Sequence, residues 1–285
     1  MAEGRLVRTV FTPKARLFTD RPMQRRLTLL TCIPFVFQLL VPTCLGFDDE
    51  ADGGDSKTNV VLVIADDMNW NDCGAYGHPF IRTPHIDRLA EEGMRFEHAY
   101  LTANSCSPSR ASLITGRYPH NTGAEQLHWP LPDDSETFVQ QLMTAGYYTA
   151  AAGKWHLGDA VKSHFHDIYE ASTAGFQLPS GQGEQTPRMI ASRPSGCEHW
   201  LTALRSRPRD VPFFLCVTYN AALPPHQPPG RPQDVRTVEN WFHGTRADYV
   251  RVVEALDTGV GRILDALDEN TLVIFTYDHG GKELG

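Results

Sequence analysis

Apolar residues along the chain form short continuous runs and longer periodic segments, and the two kinds of segment alternate. Runs rich in β-branched and aromatic residues lie at 59–65 (NVVLVIA), 212–219 (PFFLCVTY) and 271–277 (TLVIFTY), and YYTAAAG at 147–153 is a fourth apolar run. Such runs are typical of strands that are buried on both faces of a parallel sheet. The pattern therefore predicts four buried strands.

Helix signals lie between these strands. TPHIDRLAEEG supplies Thr83 as an N-cap and Pro84 at the first helical position. The segment 135–146 (SETFVQQLMTAG) begins with Ser135 as a cap, and 246–269 has a long amphipathic pattern. Strands that alternate with helices predict an α/β fold with a doubly wound, mostly parallel central sheet flanked by helices.

The first fifty residues differ from the rest of the chain. Residues 1–26 are basic, and an apolar run that contains two prolines follows Met23, which is a possible alternative start. We interpret 1–46 as an N-terminal extension with a signal peptide, 47–57 as an acidic linker and 58–285 as the folded domain. A single membrane anchor is the alternative, but the prolines and a polar residue midway argue against stable membrane insertion. Secretion, or export to a periplasm, is therefore expected.

Composition narrows the possible partners. The net charge is −8, and acidic and basic residues are interspersed without a long basic stripe, which argues against nucleic-acid binding. Outside the predicted signal peptide four cysteines remain, at Cys73, Cys106, Cys197 and Cys216. If Cys106 is used for chemistry, three are left, so a full disulfide framework is not predicted. The Gly- and Pro-rich segments 172–197 and 222–234 are interpreted as loops.

Polar residues gather directly after the predicted strands, where ligands bind in open α/β sheets. These residues are Asp66, Asp67, Lys154, His156, His226, Asp278 and His279. Three carboxylates at neighbouring strand ends would repel one another unless a cation lay between them, and their oxygen atoms suit Ca²⁺ or Mg²⁺. A helix cap or a turn is the commoner role of an isolated aspartate and is the alternative here.

Cys106 is predicted to open a helix whose first turn contains Pro108. Unpaired amides at a helix start attract anions, and Arg110 adds a fixed positive charge one turn later. The cysteine is therefore expected to face an anion site. Taken alone, a disulfide partner or a simple thiol is an equally good interpretation in a secreted chain.

The segment CSPSRASLITGR resembles the signature of the type I sulfatases, of the alkaline phosphatase-like superfamily, in which the cysteine of C-x-P-x-R is oxidised to formylglycine. ADDMNW, TPHIDRLAEEGMRF, GYYTAAAGKWHLG, PPH and FTYDHG occur in the order of that family. The resemblance covers most of 58–285, which would be the catalytic domain. Members of the family continue beyond the point that corresponds to Gly285, so the C-terminal part of the fold is expected to be missing and activity would depend on it.

The resemblance implies a role for each strand-end residue. Metal ligands, usually for Ca²⁺ and with Mg²⁺ as the second choice, would be Asp66, Asp67, Asp278, His279 and the modified Cys106. Many relatives carry Asn where His279 stands. Arg110 and Lys154 would hold the formylglycine and the sulfate, and His156 and His226 would transfer protons.

The implied reaction is sulfate ester hydrolysis. One hydroxyl of the hydrated aldehyde would attack sulfur, Asp278 would accept its proton, and His226 would protonate the leaving alcohol. His156 would then remove the second hydroxyl's proton so that the carbonyl re-forms and sulfate leaves. The implied partners are a formylglycine-generating enzyme and a sulfated carbohydrate or other sulfate ester. The alternatives are a phosphoesterase of the same fold and a truncated, inactive protein that only binds a ligand.

Overall fold

The computed structural model of the chain describes residues 8–10, 57–170, 198–223, 226 and 245–281. From residue 58 onward, and at 8–10, these residues belong to one compact unit. The predicted acidic linker and most of the predicted N-terminal extension lie outside the described residues. So do Cys197, the loop predicted at 172–197 and most of the loop predicted at 222–234.

Seven strands form a single sheet, and every strand pairing described in it is parallel. The strands are β1 (Arg8–Val10), β2 (Asn59–Ala65), β3 (Met94–Arg95), β4 (Tyr148–Gly153), β5 (Asp167–Glu170), β6 (Phe213–Thr218) and β7 (Thr271–Tyr277). Their order is β3-β1-β7-β2-β6-β4-β5. The four predicted strands occupy the adjacent positions β7, β2, β6 and β4, and the expected parallel α/β architecture is confirmed.

Five α-helices are described: α1 (Pro84–Glu92), α2 (Cys106–Thr115), α3 (Phe138–Thr144), α4 (Glu198–Ser206) and α5 (Arg246–Asp265). The predicted cap of α3 was wrong. Thr137, not Ser135, caps this helix, because its hydroxyl accepts from the backbone N–H of Gln140. Helix α5 begins with a capping box between Thr245 and Asp248 and ends four residues before the predicted end at 269.

Helices cover both faces of the sheet. On β2, Val61 and Val63 belong to one apolar core, together with residues of α1, α4 and α5. Val60 and Leu62 pack against a second core, which includes residues of α2 and α3. Because alternate residues of a strand point to opposite faces, this division places one helical layer on each side of the sheet. The continuous apolar runs of the sequence follow from burial on both faces.

None of the helices in the described part of the chain is both long and apolar enough to cross a membrane. The longest of these helices is α5, and its sequence includes seven charged side chains.

Candidate active site

The carboxyl ends of β7, β2, β6 and β4 lie along one edge of the sheet, since these neighbouring strands are parallel. The last residues of β2 and β7 are paired, so Asp66 and Asp278 leave the sheet at the same level. The last residues of β4 and β6 are also paired, and Lys154 follows β4 directly. Strand register thus brings residues that are far apart in the sequence to one place.

Cys106 is the first residue of α2, at the end of the helix where backbone N–H groups have no partners within the helix. The side chain is 9% exposed, and its sulfur lies 3.0 Å from Nε2 of His279. The next helical turn carries Arg110, and Ser109 donates a hydrogen bond from its hydroxyl to the backbone carbonyl of Asp278. The thiol is therefore buried among polar groups at the strand ends.

Asp66 is completely buried and receives a hydrogen bond from the ammonium of Lys154. Its Oδ1 atom has no hydrogen-bond partner among the described residues and lies 3.9 Å from Nη2 of Arg110. Burial alone would raise the pKa of Asp66, but the charges of Lys154 and Arg110 outweigh burial and lower the pKa to about 2. Asp66 is therefore an anion at any physiological pH.

Asp278 is also completely buried, yet its pKa moves in the opposite direction. Oδ2 accepts from Nε of Arg110 at 3.0 Å and pairs with Nη2 at 2.9 Å, while Oδ1 accepts from the backbone N–H of His279 at 2.9 Å. Burial, together with the charge of Asp66, raises the pKa of Asp278 to about 7 in spite of Arg110. Near neutral pH this carboxyl group can gain or lose a proton.

Two cations balance these carboxylates. Arg110 is 3% exposed and Lys154 is 2% exposed, and Nη1 of Arg110 also donates to the backbone carbonyl of Lys154 at 3.0 Å. Burial disfavours both charges, but the neighbouring carboxylates raise the pKa of Arg110 and the pKa of Lys154 above their ordinary values. The site therefore holds two positive charges, each paired with a buried carboxylate.

A cation site is compatible with the residues beside Cys106. Ligand atoms of Asp66, Asp67, Cys106 and His279 all lie within 4.8 Å of one another, and all four side chains are buried. Nδ1 of His279 lies 2.9 Å from Oδ1 of Asp67. The partnerless Oδ1 of Asp66 would gain a partner from a cation. The donor set fits a divalent metal, and each ligand must be deprotonated to bind it.

The backbone of His156 has an uncommon conformation. Its φ is +64°, a left-handed conformation that is uncommon for a residue with a side chain. Burial, together with the charges of Lys154 and Arg110, lowers the pKa of His156 to about 3, so the ring is neutral. Nδ1 of this ring is buried and has no hydrogen-bond partner among the described residues.

The sequence left His128 without a role, and the structure joins it to His156. Nδ1 of His128 lies 2.7 Å from Nε2 of His156, and the backbone N–H of His128 donates to Oγ of Ser107, the residue after Cys106. No motif spacing connects positions 128 and 156. The path of the loop brings them together, and the unusual φ of +69° at His128 has no clear sequence signal.

His226 lies at the border of the site, against the side chain of Tyr249. It is 3% exposed and packs edge-on against Tyr249 of α5, with ring centroids 5.2 Å apart. The hydroxyl of Tyr249 accepts from the backbone N–H of Asn69 and donates to Asp72 at 2.7 Å. His226 therefore lies against this neighbouring group.

Comparisons of this chain with family models and with known proteins all point to the same family. The model of the family described as "Sulfatase" matches residues 58–283. Human arylsulfatase A is 30% identical over 271 residues, which cover 79% of this chain and 52% of that protein. Human N-acetylgalactosamine-6-sulfatase is 30% identical over 279 residues, covering 81% and 51%.

A solved structure titled "Crystal structure of Ps i-CgsB" is 29% identical with a TM-score of 0.63, and the match covers 80% of this chain and 59% of that one. The chain spans about half the length of the curated relatives that it matches.

Proposed function

The chain belongs to the sulfatase family, and we propose that it hydrolyses sulfate esters at the site around Cys106. The observation that carries this proposal is the contact between the Cys106 sulfur and His279, inside a buried group that also holds two aspartates, Arg110 and Lys154. A structural thiol would be surrounded by apolar side chains instead. Cys73 is such a thiol: it is wholly buried in the apolar core, and burial raises its pKa to about 11.

We propose that Cys106 is oxidised to formylglycine by a formylglycine-generating enzyme, and that a hydroxyl of the hydrated side chain attacks sulfur. Asp278 is the proposed acceptor of that hydroxyl's proton, which agrees with a pKa raised to about 7. Arg110 and Lys154 offset negative charge on the sulfuryl oxygens, since both are buried and fixed by hydrogen bonds. Little reorganisation is then needed during the reaction.

His156 is the proposed base for release of sulfate, because its ring is neutral and its Nδ1 is buried without a partner. His226 is the proposed donor of a proton to the leaving alcohol. It lies beside Tyr249, so in this role it would act from the border of the site. Both assignments rest on the family resemblance together with these positions.

The proposed metal ligands are Asp66, Asp67, Asp278, His279 and the modified Cys106. When bound, a divalent cation would offset charge on the sulfate and orient it. Ca²⁺ is proposed because most of the donors are oxygen atoms, with Mg²⁺ as the second choice. The nitrogen of His279 and an unmodified Cys106 sulfur would favour a softer ion such as Zn²⁺, so the oxidation state of residue 106 bears on metal choice.

The proposed substrate is a sulfated carbohydrate. One of the relatives, N-acetylgalactosamine-6-sulfatase, is named for a sulfated sugar. A secreted or periplasmic location would suit such a substrate and is part of the proposal.

The test is to produce the full chain together with a formylglycine-generating enzyme, to analyse the peptide that contains residue 106 by mass spectrometry, and to assay aryl sulfate and aryl phosphate. We expect loss of the thiol mass at residue 106 and turnover of the sulfate. An unmodified thiol in protein from the native host would favour a protein that only binds a ligand. Turnover of the phosphate alone would favour a phosphoesterase.

A further inference from the structure

The contact between His128 and His156 is not explained by the proposed reaction, and its geometry restricts where protons can lie. Nε2 of His156 and Nδ1 of His128 are 2.7 Å apart, which is a hydrogen bond with one proton between two nitrogens. If both rings were doubly protonated, two N–H groups would face each other. The pair therefore carries at most one positive charge in this arrangement.

Only two arrangements of that proton are possible while both rings are neutral. In the first, His156 donates from Nε2 and its Nδ1 is left bare. In the second, His128 donates from Nδ1, and the single proton of His156 then lies on Nδ1. A base at His156 needs a bare nitrogen, and Nδ1 is the buried atom that no described hydrogen bond engages. The first arrangement alone supplies that base.

We propose that His128 is a positioning residue: its Nδ1 accepts the Nε2 proton of His156 and so keeps Nδ1 of His156 bare and ready to accept a proton. This inference rests on the proposed role of His156 as a base. When Nδ1 of His156 takes up a proton, Nε2 still donates to His128, and the hydrogen bond stabilises the resulting imidazolium. His128 takes part without itself gaining or losing a proton.

The loop around His128 is fixed at several points, as a positioning residue requires. The backbone N–H of His128 donates to Oγ of Ser107 at 3.0 Å, and the backbone N–H of Leu131 donates to the carbonyl of Leu157 at 3.0 Å. Pro130 lies so close to Gly158 that a Cβ on that glycine would stand 2.4 Å from the proline side chain. These contacts tie the loop to α2 and to the segment that carries His156.

The other charged groups that act on the His156 ring are Lys154, Arg110 and Asp66. The two cations disfavour a positive charge on the ring, and Asp66 favours it. None of these three accounts for the direction of the Nε2 hydrogen bond, because His128 is the partner of that nitrogen. The choice of tautomer therefore depends on His128.

Two variants separate the hydrogen bond from the backbone. His128→Gly removes the ring, and glycine accepts a φ of +69° without strain. His128→Asn keeps an acceptor at the position of Nδ1, and asparagine also tolerates this region of φ. His98→Asn is the matched control, since His98 is exposed and has no role in the site. Thermal melting of each full-length variant shows whether it is folded.

The first measurement is ¹⁵N NMR of the His156 ring, assigned with a His156→Gln variant, and it needs no activity. The second is kcat and KM on an aryl sulfate. We expect Nε2-protonated His156 in the wild type, a mixed tautomer in His128→Gly, and recovery in His128→Asn. The glycine variant should lose about tenfold to a hundredfold in kcat at similar KM.

A wild-type His156 protonated on Nδ1 would overturn the inference. So would a His128→Gly variant whose tautomer and kcat equal those of the wild type, or an asparagine variant as impaired as the glycine variant. If the wild type turns over no sulfate ester, the proposed function fails, while the NMR result still decides the role of His128.

Discussion

Two groups of charged side chains differ in how completely the carboxylates are paired: the Asp72 group, formed by Asp72, Asn69, Tyr249 and Arg246, and the site group around Asp66 and Asp278. In the Asp72 group, Oδ2 accepts from the hydroxyl of Tyr249 at 2.7 Å and from Nδ2 of Asn69 at 3.1 Å, and Oδ1 accepts from Arg246. In the site group, Oδ1 of the buried Asp66 has no hydrogen-bond partner within the part of the chain that the structure describes.

The electrostatics of the two groups differ in the same way. Burial would raise the pKa of Asp72, but Arg246, Tyr249 and Asn69 outweigh it and lower the pKa. Within the site group, the pKa of Asp66 is lowered while that of Asp278 is raised to about 7. Both carboxylate oxygens of Asp72 accept hydrogen bonds, as expected for a carboxylate with a structural role. The site group keeps an unfilled acceptor and an exchangeable proton, which a ligand or a reaction can use.

The largest effect is expected at the thiol. Cys106→Ala should lower kcat on an aryl sulfate by more than about 10³-fold, because the nucleophile is lost, while thermal melting changes little. Cys73→Ala is the matched control, since Cys73 is also a buried free thiol and lies in the apolar core. It should cost about 1 kcal/mol of stability and leave kcat unchanged. Equal activity loss in both variants would contradict a special role for Cys106.

Removing a site carboxylate should cost the most stability. Asp66→Asn leaves Lys154 and Arg110 buried with too little negative charge, so we expect a loss of about 3–5 kcal/mol in urea unfolding of the metal-free protein. The double variant Asp66→Asn with Lys154→Met should recover part of this loss, since one unpaired cation is gone. If the double variant were less stable than Asp66→Asn, charge pairing would not be the cause.

Another buried aspartate sharpens the comparison, because the hydrogen bonds described for it come from backbone N–H groups. Asp257 of α5 accepts from the backbone N–H groups of His85 and Ile86 at the start of α1, and burial raises its pKa to about 6. A raised pKa in the folded state means that the folded protein holds this proton more tightly than the unfolded chain. The stability that Asp257 contributes is therefore present below about pH 4 and is lost as the pH rises through 6.

Asp257→Asn should remove this dependence. The difference between the free energies of unfolding of wild type and variant should change by about 3 kcal/mol from pH 4 to pH 7, with the wild type losing relative stability. Urea unfolding at several pH values measures it. A difference that stays constant with pH would show that Asp257 titrates normally in the folded protein.

The smallest effect is expected in the Asp72 group. Asp72→Asn should cost about 2 kcal/mol, because the charge-assisted bond from Arg246 is weakened while an acceptor oxygen remains. The rise in melting temperature on addition of Ca²⁺, which reports binding of the ion, should be the same as in the wild type. Loss of that calcium response in Asp72→Asn would mean that the two groups are not independent.

Much of the fold could be predicted from the sequence, and the misses have local causes. The bounds of β2 and β7 match the predicted runs because continuous burial on both faces leaves a clear apolar signal. The strands β1, β3 and β5 have two to four residues, too few to carry a pattern. The cap of α3 was misplaced because Ser135 and Thr137 are both good caps, and backbone geometry decided between them.

The site was predicted as a set of residue types but not as a set of contacts. Residues that directly follow predicted strands could be found because parallel strands end along one edge of the sheet. His128 could not, since its loop has no periodicity and its contact with His156 depends on left-handed backbone at both positions. The position of His226 against Tyr249 likewise followed from packing of α5 and not from the sequence near His226.

The sequence by itself determined the alternation of buried strands and helices, the polar residues at the strand ends and the family signature around Cys106. These are local properties, because short stretches of neighbouring residues specify burial periodicity and the ends of strands. Only the tertiary structure decided the strand order β7-β2-β6-β4, the ion pairs of Asp66 and Asp278, and the pairing of His128 with His156. Those depend on the register and packing of segments as many as 211 residues apart, which no local pattern specifies.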